Sequence, residues 1–439
     1  MSKYDSFTGG TSTPVTSRED DSLVATFRRM LLEEVDLHEL SKVDDNQRRA
    51  RLERVIAHLV SREGVILSAS ERNQLVRRVV DEAVGLGVLE PILNDPTISE
   101  IMINGHDQIY VERDGQLESW PAPFSGVEQL MQTIDRIVST VNRRVDESSP
   151  MVDARLPADS RLPRGARVNV VLPPLSLNGP TVTIRLFPQA LSLNQLIEKD
   201  ALDRRTALLL KACVEARLNV VVSGGTGSGK TTLLNALSSF ISPSERIITV
   251  EDAAELSLDQ PHTIRLETRP ANVEGRGQIT IRDLVRNSLR MRPDRIIVGE
   301  CRGGEALDML QAMNTGHEGS LTTVHANSPD DALSRLETLA SMSDVDVPFH
   351  ALRDQVNSAI DVIVQLNRLS GGVRRVVDVS WVASRRQEDF SLVPLMEYAV
   401  DRSDPTRLRG HFVTHDLPAR FRDRLLEGGV DVAAIEGDG

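Results

Sequence analysis

Residues 218–234 read LNVVVSGGTGSGKTTLL, and this stretch leaves few folds open. Its apolar start, Val220 to Val222, is short and β-branched, the pattern of a buried strand. A glycine-rich turn follows, and Lys230, Thr231 and Thr232 open an apolar helix. Gly224, Gly229, Lys230 and Thr231 satisfy the spacing G-x-x-x-x-G-K-[ST]. Between them Gly225, Thr226, Gly227 and Ser228 form a turn whose backbone N–H groups can face inward around a polyanion. The helix N-terminus adds partial positive charge. Lys230 can reach the β- and γ-phosphates of a nucleotide, and the Thr231 hydroxyl can complete a Mg²⁺ shell. A chance glycine-rich turn is the alternative, and the strand before and helix after argue against it. The stretch implies an α/β fold with a nucleoside triphosphate site.

Totals bound the rest. At 439 residues the chain exceeds one ordinary core, so two or three domains are expected. A hydrophobic share of 40% with 26% charged residues is that of a soluble globular protein. Its 51 basic and 64 acidic side chains leave a net charge of −13, which argues against nucleic-acid binding by bulk attraction. Aromatics at 3% leave few platforms for stacking bases. Cys213 and Cys301, in no metal-type spacing, read as small buried residues rather than redox switches. The N-terminus carries Asp5, Glu19, Asp20 and Asp21 and no apolar segment, so no signal peptide is expected. No run approaches the roughly 20 apolar residues of a membrane span, so membrane association is expected to be peripheral or through partners.

Residues 1–22 read as a flexible arm. Over residues 23–87, Phe27, Met30, Leu31 and Val35 recur at helical steps, as do Leu52, Val55, Ile56 and Leu59. Ser70 with Glu71 opens a further helix, and a small helical bundle is expected, with Arg48, Arg49, Arg51 and Arg54 on a solvated face. Residues 88–190 read as an α+β domain: ISEIMING, QIYVERDGQLE, RVNVVLPP and TVTIRLF alternate as strands, Asp114-Gly115 suits a hairpin turn, and a helix spans 126–141. Among its arginines, Arg167 and Arg185 sit on alternating strands just before the phosphate loop, so a binding role stands level with plain surface charge.

Residues 191–196 read as a linker into residues 191–400, where strand and helix alternate over 219–223, 231–240, 246–251, 281–291 and 295–299. Such alternation argues a parallel sheet with helices on both faces. A helix, a strand, a Gly371-Gly372 turn and a strand over 352–383 suit the closing edge of that sheet. Residues 401–439 read as a tail with one terminal helix, fraying from 427.

Two strands deliver acids to their C-terminal ends, where open α/β sheets place ligands: IITVED brings Glu251 and Asp252, and RIIVGE brings Glu300. Phosphoryl transfer needs carboxylates there to hold Mg²⁺ and to orient or deprotonate water. His317 and His325 flank a Ser-Leu-Thr-Thr strand without further ligands at metal spacing. They suit a γ-phosphate sensor or a subunit contact, with hydrogen-bonded structural histidines as the alternative. Arg282, Arg286 and Arg290 lie four residues apart on one helix face, by default solvated or acid-paired, otherwise at a subunit interface or pore.

The set GGTGSGKTT, TVEDAAEL, RMRPDRIIVGECRGGEALDMLQAMNTGHEGSLTTVHANSPDDALSRLE and DESSPMVDARLP resembles the type II/type IV secretion ATPase superfamily, within it the CpaF/TadA branch of tight-adherence (Flp) pili. The resemblance implies a RecA-like P-loop ATPase domain preceded by an α+β, PAS-like domain and assembled as a homo-hexamer. It also implies a Walker A loop at residues 224–232, a Walker B acid at Glu300 holding Mg²⁺ through water, and an acidic box at Glu251, Asp252 and Glu255 whose first glutamate is the general base. His317 and His325 match a histidine box, with His325 catalytic, and Arg167 and Arg185 match arginines that reach the phosphates. The run DARLPADSRLPRGARVN is longer than usual, so Arg161 or Arg164 competes with Arg167 for that role. GECRG replaces the GE-x-RD of pilus-retraction and type II relatives, and no four-cysteine zinc module is present.

The expected function is an ATP- and Mg²⁺-dependent motor at the cytoplasmic face of the inner membrane. It would drive pilin assembly through platform proteins, moving about a hinge at Gln189 to Asn194. A type IV secretion ATPase for conjugation or effector export is the alternative, and an ATP-stabilised ring that does not hydrolyse is the alternative of another class.

Overall fold

The computed structural model describes residues 18–35, 45–65, 67–84, 86–113, 115–141, 143–158, 162, 164–187, 190–271, 276–369, 372–400 and 410–436. The chain divides into two compact units, Met1–Phe187 and Pro188–Gly439.

In the first unit, α1 (Arg18–Glu34), α2 (Asp45–Arg62) and α3 (Ala69–Val84) pack on one another. Apolar residues at three- and four-residue spacing, among them Phe27, Leu31, Ile56, Leu59, Val79 and Val80, form one buried stripe per helix and close a small core. Helix α1 begins at Arg18, inside the stretch read as a flexible arm, and residues 1–17 lie outside the described residues. Arg49 on the expected solvated face is paired with Asp81 at 2.5 Å and Glu53 at 3.3 Å.

Among its described residues the same unit holds a six-stranded antiparallel sheet. Its strands are β1 (Ile98–Asn104), β2 (Ile109–Arg113), β3 (Gln116–Ser119), β4 (Met151–Leu156), β5 (Ala166–Val171) and β6 (Thr181–Leu186), in the order β3-β2-β1-β6-β5-β4. Helix α4 (Val127–Ser139) packs Leu130, Ile134 and Ile137 onto its apolar face. Asp114 lies outside the described residues. Its neighbour Gly115 has φ +79°, the left-handed conformation a tight hairpin needs.

Among its described residues the second unit is built on nine strands, in the order β15-β14-β13-β12-β7-β11-β10-β8-β9. Strands β12 (Val362–Arg368), β7 (Val220–Gly224), β11 (Leu321–Val324), β10 (Arg295–Cys301), β8 (Ile247–Glu251) and β9 (Thr263–Glu267) run parallel. Central strands read apolar throughout because both faces are covered. On one face pack α5 (Leu193–Glu198), α6 (Arg204–Glu215) and α7 (Lys230–Ser238); on the other pack α8 (Ile281–Ser288), α9 (Glu305–Asn314), α10 (Pro329–Ser341) and α11 (Phe349–Ala359).

Several expectations change here. The strand placed at the sheet's closing edge, β12, lies beside β7 at the centre, as Val362, Ile363 and Val364, buried on both faces, require. Beyond it β13 (Arg374–Val382), β14 (Leu392–Val400) and β15 (Gly410–Thr414) extend the sheet antiparallel. Strand β9 lies between residues 251 and 281, where the alternation of strand and helix placed no element. The expected tail belongs to the core: Phe421 and Leu425 of α12 (Ala419–Glu427) are fully buried, and Val432 and Ile435 join the same cluster.

The expected linker is a helix from Leu193, closed by a capping box in which Ser192 Oγ accepts from Gln195 N at 3.3 Å and Gln195 Oε1 accepts from Ser192 N at 2.9 Å. Asn194 of the expected hinge is therefore helical, and Gln189 lies outside the described residues. Ser192→Ala should cost about 1 kcal/mol of stability, measured by chemical denaturation. Among the described residues no helix is long and apolar enough to cross a membrane.

Candidate active site

Strand β7 runs into the glycine loop at Gly224, where β12 passes so close that a Cβ would lie 2.5 Å from the Leu366 carbonyl oxygen. Gly227 (φ +68°) and Gly229 (φ +99°) hold left-handed conformations that side chains resist. Gly225, Thr226 and Gly227 are exposed, while Ser228 is buried and its Oγ donates to the Gly225 carbonyl at 2.9 Å. Helix α7 begins at Lys230, with Thr231 and Thr232 half-buried in its first turn. The Lys230 ammonium is buried at the loop, donating to the carbonyls of Gly224 and Gly225 at 3.0 Å each and standing 3.3 Å from His325 Nε2.

Because β7, β11, β10 and β8 are parallel neighbours, their C-terminal ends present Gly224, His325, Glu300 and Glu251 side by side. Glu251 is buried. Its Oε1 accepts the backbone N–H groups of Glu255 at 3.0 Å and Leu256 at 2.9 Å, while Oε2 is enclosed without a partner. Burial pushes this carboxyl up to about 7, against the pull of those two N–H groups and of Arg265. The side chain lies on the backbone of β10: a Cβ at Gly299 would be 2.9 Å from Glu251 Cγ, so only glycine fits there.

Glu300 has both oxygens engaged, Oε1 at 2.9 Å from His325 Nε2 and Oε2 accepting from Arg302 Nη2 at 2.7 Å. Arg302 also stands 3.5 Å from the exposed Asp252. Burial, and then the Lys230 charge, lowers the His325 pKa, with Glu300 opposing, so the ring is neutral at pH 7. Arg302 was missed by sequence reasoning; its only signal was an arginine two residues after the acid in GECRG.

Other expected residues lie elsewhere. His317 precedes β11 while His325 follows it, so the strand puts them at opposite ends; His317 Nδ1 is 3.2 Å from the Ala312 carbonyl, away from the glycine loop. Arg167 and Arg185 are on the first unit, paired in register across β5 and β6, with Arg155 next in line on β4. Arg155 thus extends the row, a placement that the intervening loop hid. Like charges directly opposite are destabilising, so such a row suits an anion. Glu100 lies opposite Arg185 on the other side.

Arg164 donates to the carbonyls of Asp95 at 3.1 Å and Ile98 at 2.9 Å, which holds the turn before β1 and takes it out of competition for phosphate. Arg161 lies outside the described residues. Arg282 and Arg286 both pair with Asp308, at 2.9 and 2.7 Å, an acid-paired stripe, while Arg290 follows the helix end. The thiols of Cys213 and Cys301 are buried and pushed up, that of Cys301 to about 12, so neither is a reactive thiolate.

Among the described residues no cluster of three His, Cys, Asp or Glu side chains could hold a metal alone. Mg²⁺ in phosphoryl-transfer sites needs only one or two carboxylates beside the substrate's phosphates. The hard oxygen donors of Thr231 and Glu300 fit that requirement.

The model of a family described as "Type II/IV secretion system protein" matches residues 82–394. The putative conjugal transfer protein Rv3659c of Mycobacterium tuberculosis (strain ATCC 25618 / H37Rv) is 39% identical over 306 residues, 70% of this chain and 86% of that one. Type IV secretion system protein PtlH of Bordetella pertussis is 38% identical over 333 residues, covering 67% and 93%. The crystal structure of the pilus retraction motor PilT with bound ADP shares the fold, with a TM-score of 0.50, 21% identity, and coverage of 70% and 82%. These relatives do not single out the tight-adherence branch; their names favour the conjugation and type IV reading given as its alternative. The chain belongs to the type II/IV secretion system ATPase family.

Proposed function

We propose that this protein is a Mg²⁺-dependent ATPase motor of a type IV secretion apparatus, hydrolysing ATP to ADP and phosphate. It works as a homo-hexamer on the cytoplasmic face of a membrane, against platform proteins of that apparatus. The reading rests on one observation: the parallel sheet brings Lys230, Glu251, Glu300 and His325 to one end, around the glycine loop.

The chemistry is positioning plus charge neutralisation. Backbone N–H groups of residues 225–232 cradle the phosphates, and Lys230 adds a full positive charge. Thr231 and, through water, Glu300 would hold Mg²⁺, which would supply further charge neutralisation on the phosphates. Glu251 accepts the proton of the attacking water, which suits a carboxyl near 7 with one unpaired oxygen. Arg302 and His325 orient Glu300. Neutral His325, between Lys230 and Glu300, suits the sensing of the terminal phosphate. Arg167 and Arg185 are assigned phosphate contacts, as the family resemblance implies.

Tight-adherence pilus assembly is the second reading; GECRG in place of GE-x-RD suits it and the first reading alike, and sets both apart from pilus-retraction and type II relatives. Genes beside this one separate the two: a relaxase and coupling protein support the first, small pilins and a prepilin peptidase the second. Glu300→Gln tests the motor itself. Phosphate release should fall about 10²-fold with nucleotide still bound. A wild-type protein that binds ATP and turns over no faster than this variant would be a ring scaffold, and the motor reading would fail.

A further inference from the structure

Two arginines beside the glycine loop have no part in the account so far. Arg368 ends β12 and Arg374 begins β13, and they are register partners across that hairpin. Residues directly opposite in an antiparallel pair share a face, and like charges placed so are destabilising. Both are exposed, so no core packing explains the pairing. Arg375, the next residue, shows what a structural arginine looks like on this strand. It is buried, donates to the Asp200 carbonyl at 2.9 Å and lies 4.3 Å from the Tyr398 ring centroid.

The pair is held against the loop by the sheet. Leu366 of β12 is in register with Gly224, and the contact there is so close that only glycine fits. Arg374 Nε donates to the Gly227 carbonyl at 2.9 Å, and a Cβ on Gly229 would meet Arg374 Cδ at 3.6 Å. A Cβ on Gly227 would come within 4.0 Å of Arg368 Nη1. A guanidinium can hold a carbonyl through Nε and still present its two terminal nitrogens as a fork to phosphate oxygens.

We propose that Arg368 and Arg374 are nucleotide-binding residues, a basic pair supplied by the ATPase unit itself that grips the β- and γ-phosphates beside Gly227. The proposal rests on the triphosphate reading above and adds to it a second source of positive charge, distinct from Lys230 and from the arginine row of the first unit. It assigns the pair to the phosphate chain rather than to the base or ribose.

The test compares the full-length wild type with Arg374→Ala, Arg368→Ala and Arg374→Lys. A fluorescent ATP analogue is the reporter, and ATP, AMP and inorganic tripolyphosphate are competitors. Each alanine variant should lose about tenfold in affinity for ATP and for tripolyphosphate alike, leave AMP unchanged, and keep the ligand-free melting temperature; lysine should restore part of the loss. Arg368→Ala guards against a loop effect, because its side chain is not the one bonded to the Gly227 carbonyl. ATP affinity within twofold of wild type in both alanine variants would overturn the proposal. So would a loss that spares tripolyphosphate or that reaches AMP equally. A wild-type protein that binds neither ATP nor tripolyphosphate would instead refute the triphosphate reading itself.

Discussion

Lys230→Ala is expected to lower ATP turnover by about 10³-fold and to weaken ATP binding together with it. The Lys230 ammonium is buried at the loop and already held by the Gly224 and Gly225 carbonyls and by His325. Its charge is thus already placed beside the loop, and a phosphate oxygen takes the position of one of these partners when nucleotide binds. Alanine is a good helix former, so α7 and the left-handed Gly229 before it should persist. The check is calorimetric titration with ATP beside phosphate release. Unchanged affinity and rate would mean that the glycine loop does not hold the phosphates, and the functional reading would fall with it.

Glu251→Gln carries the other large effect. Turnover should drop by about 10³-fold, because the amide keeps the shape and loses the proton acceptor. In the wild type the rate should rise through pH 7 as the carboxyl ionises, since burial pushes it up to about 7 from the ordinary 4.5. The variant should lose that step. Stability follows from linkage. Between pH 4.5 and 7 the folded state keeps a proton that the unfolded chain has released, so stability falls as pH rises across this window. The raised carboxyl accounts for about 3 kcal/mol of that fall. Denaturation midpoints from pH 5 to pH 8 should therefore slope less in Glu251→Gln. A wild-type rate that is flat from pH 6 to 8, or a variant with full activity, would remove Glu251 from the role of base.

The phosphate loop was legible because its chemistry is local. A β-branched strand, four glycines and Lys230 lie within eleven residues, and no distant residue is needed to recognise them. Glu251 and Glu300 were legible for a related reason, since each ends an apolar strand whose direction is set by the helices around it. His325 and His317 looked alike in sequence because both flank the same strand. Only the direction of β11 separates the one at the glycine loop from the one at the far end.

Burial misled the reading near the C-terminus. Phe421, Leu425, Val432 and Ile435 are spaced among charged and glycine residues, so the segment reads as a tail with one terminal helix, fraying from 427. In the fold those four side chains complete a core whose other members include residues of β7, α6 and α7. The central place of β12 was hidden likewise. A strand buried on both faces reads the same whether it closes a sheet or sits in the middle, and pairing with β7 is a contact across about 140 residues.

Residue order alone determined that a triphosphate cradle sits between a strand and a helix, and which acids stand at strand ends, because backbone conformation and side-chain type over a few residues settle both. Tertiary structure decided how those acids behave. Enclosure makes Glu251 a carboxyl near 7, cross-strand register aligns Arg155 with Arg167 and Arg185, and sheet order sets Arg368 and Arg374 beside Gly227. Desolvation and juxtaposition are properties of neighbours far apart in the chain, and only the packed sheet brings them together.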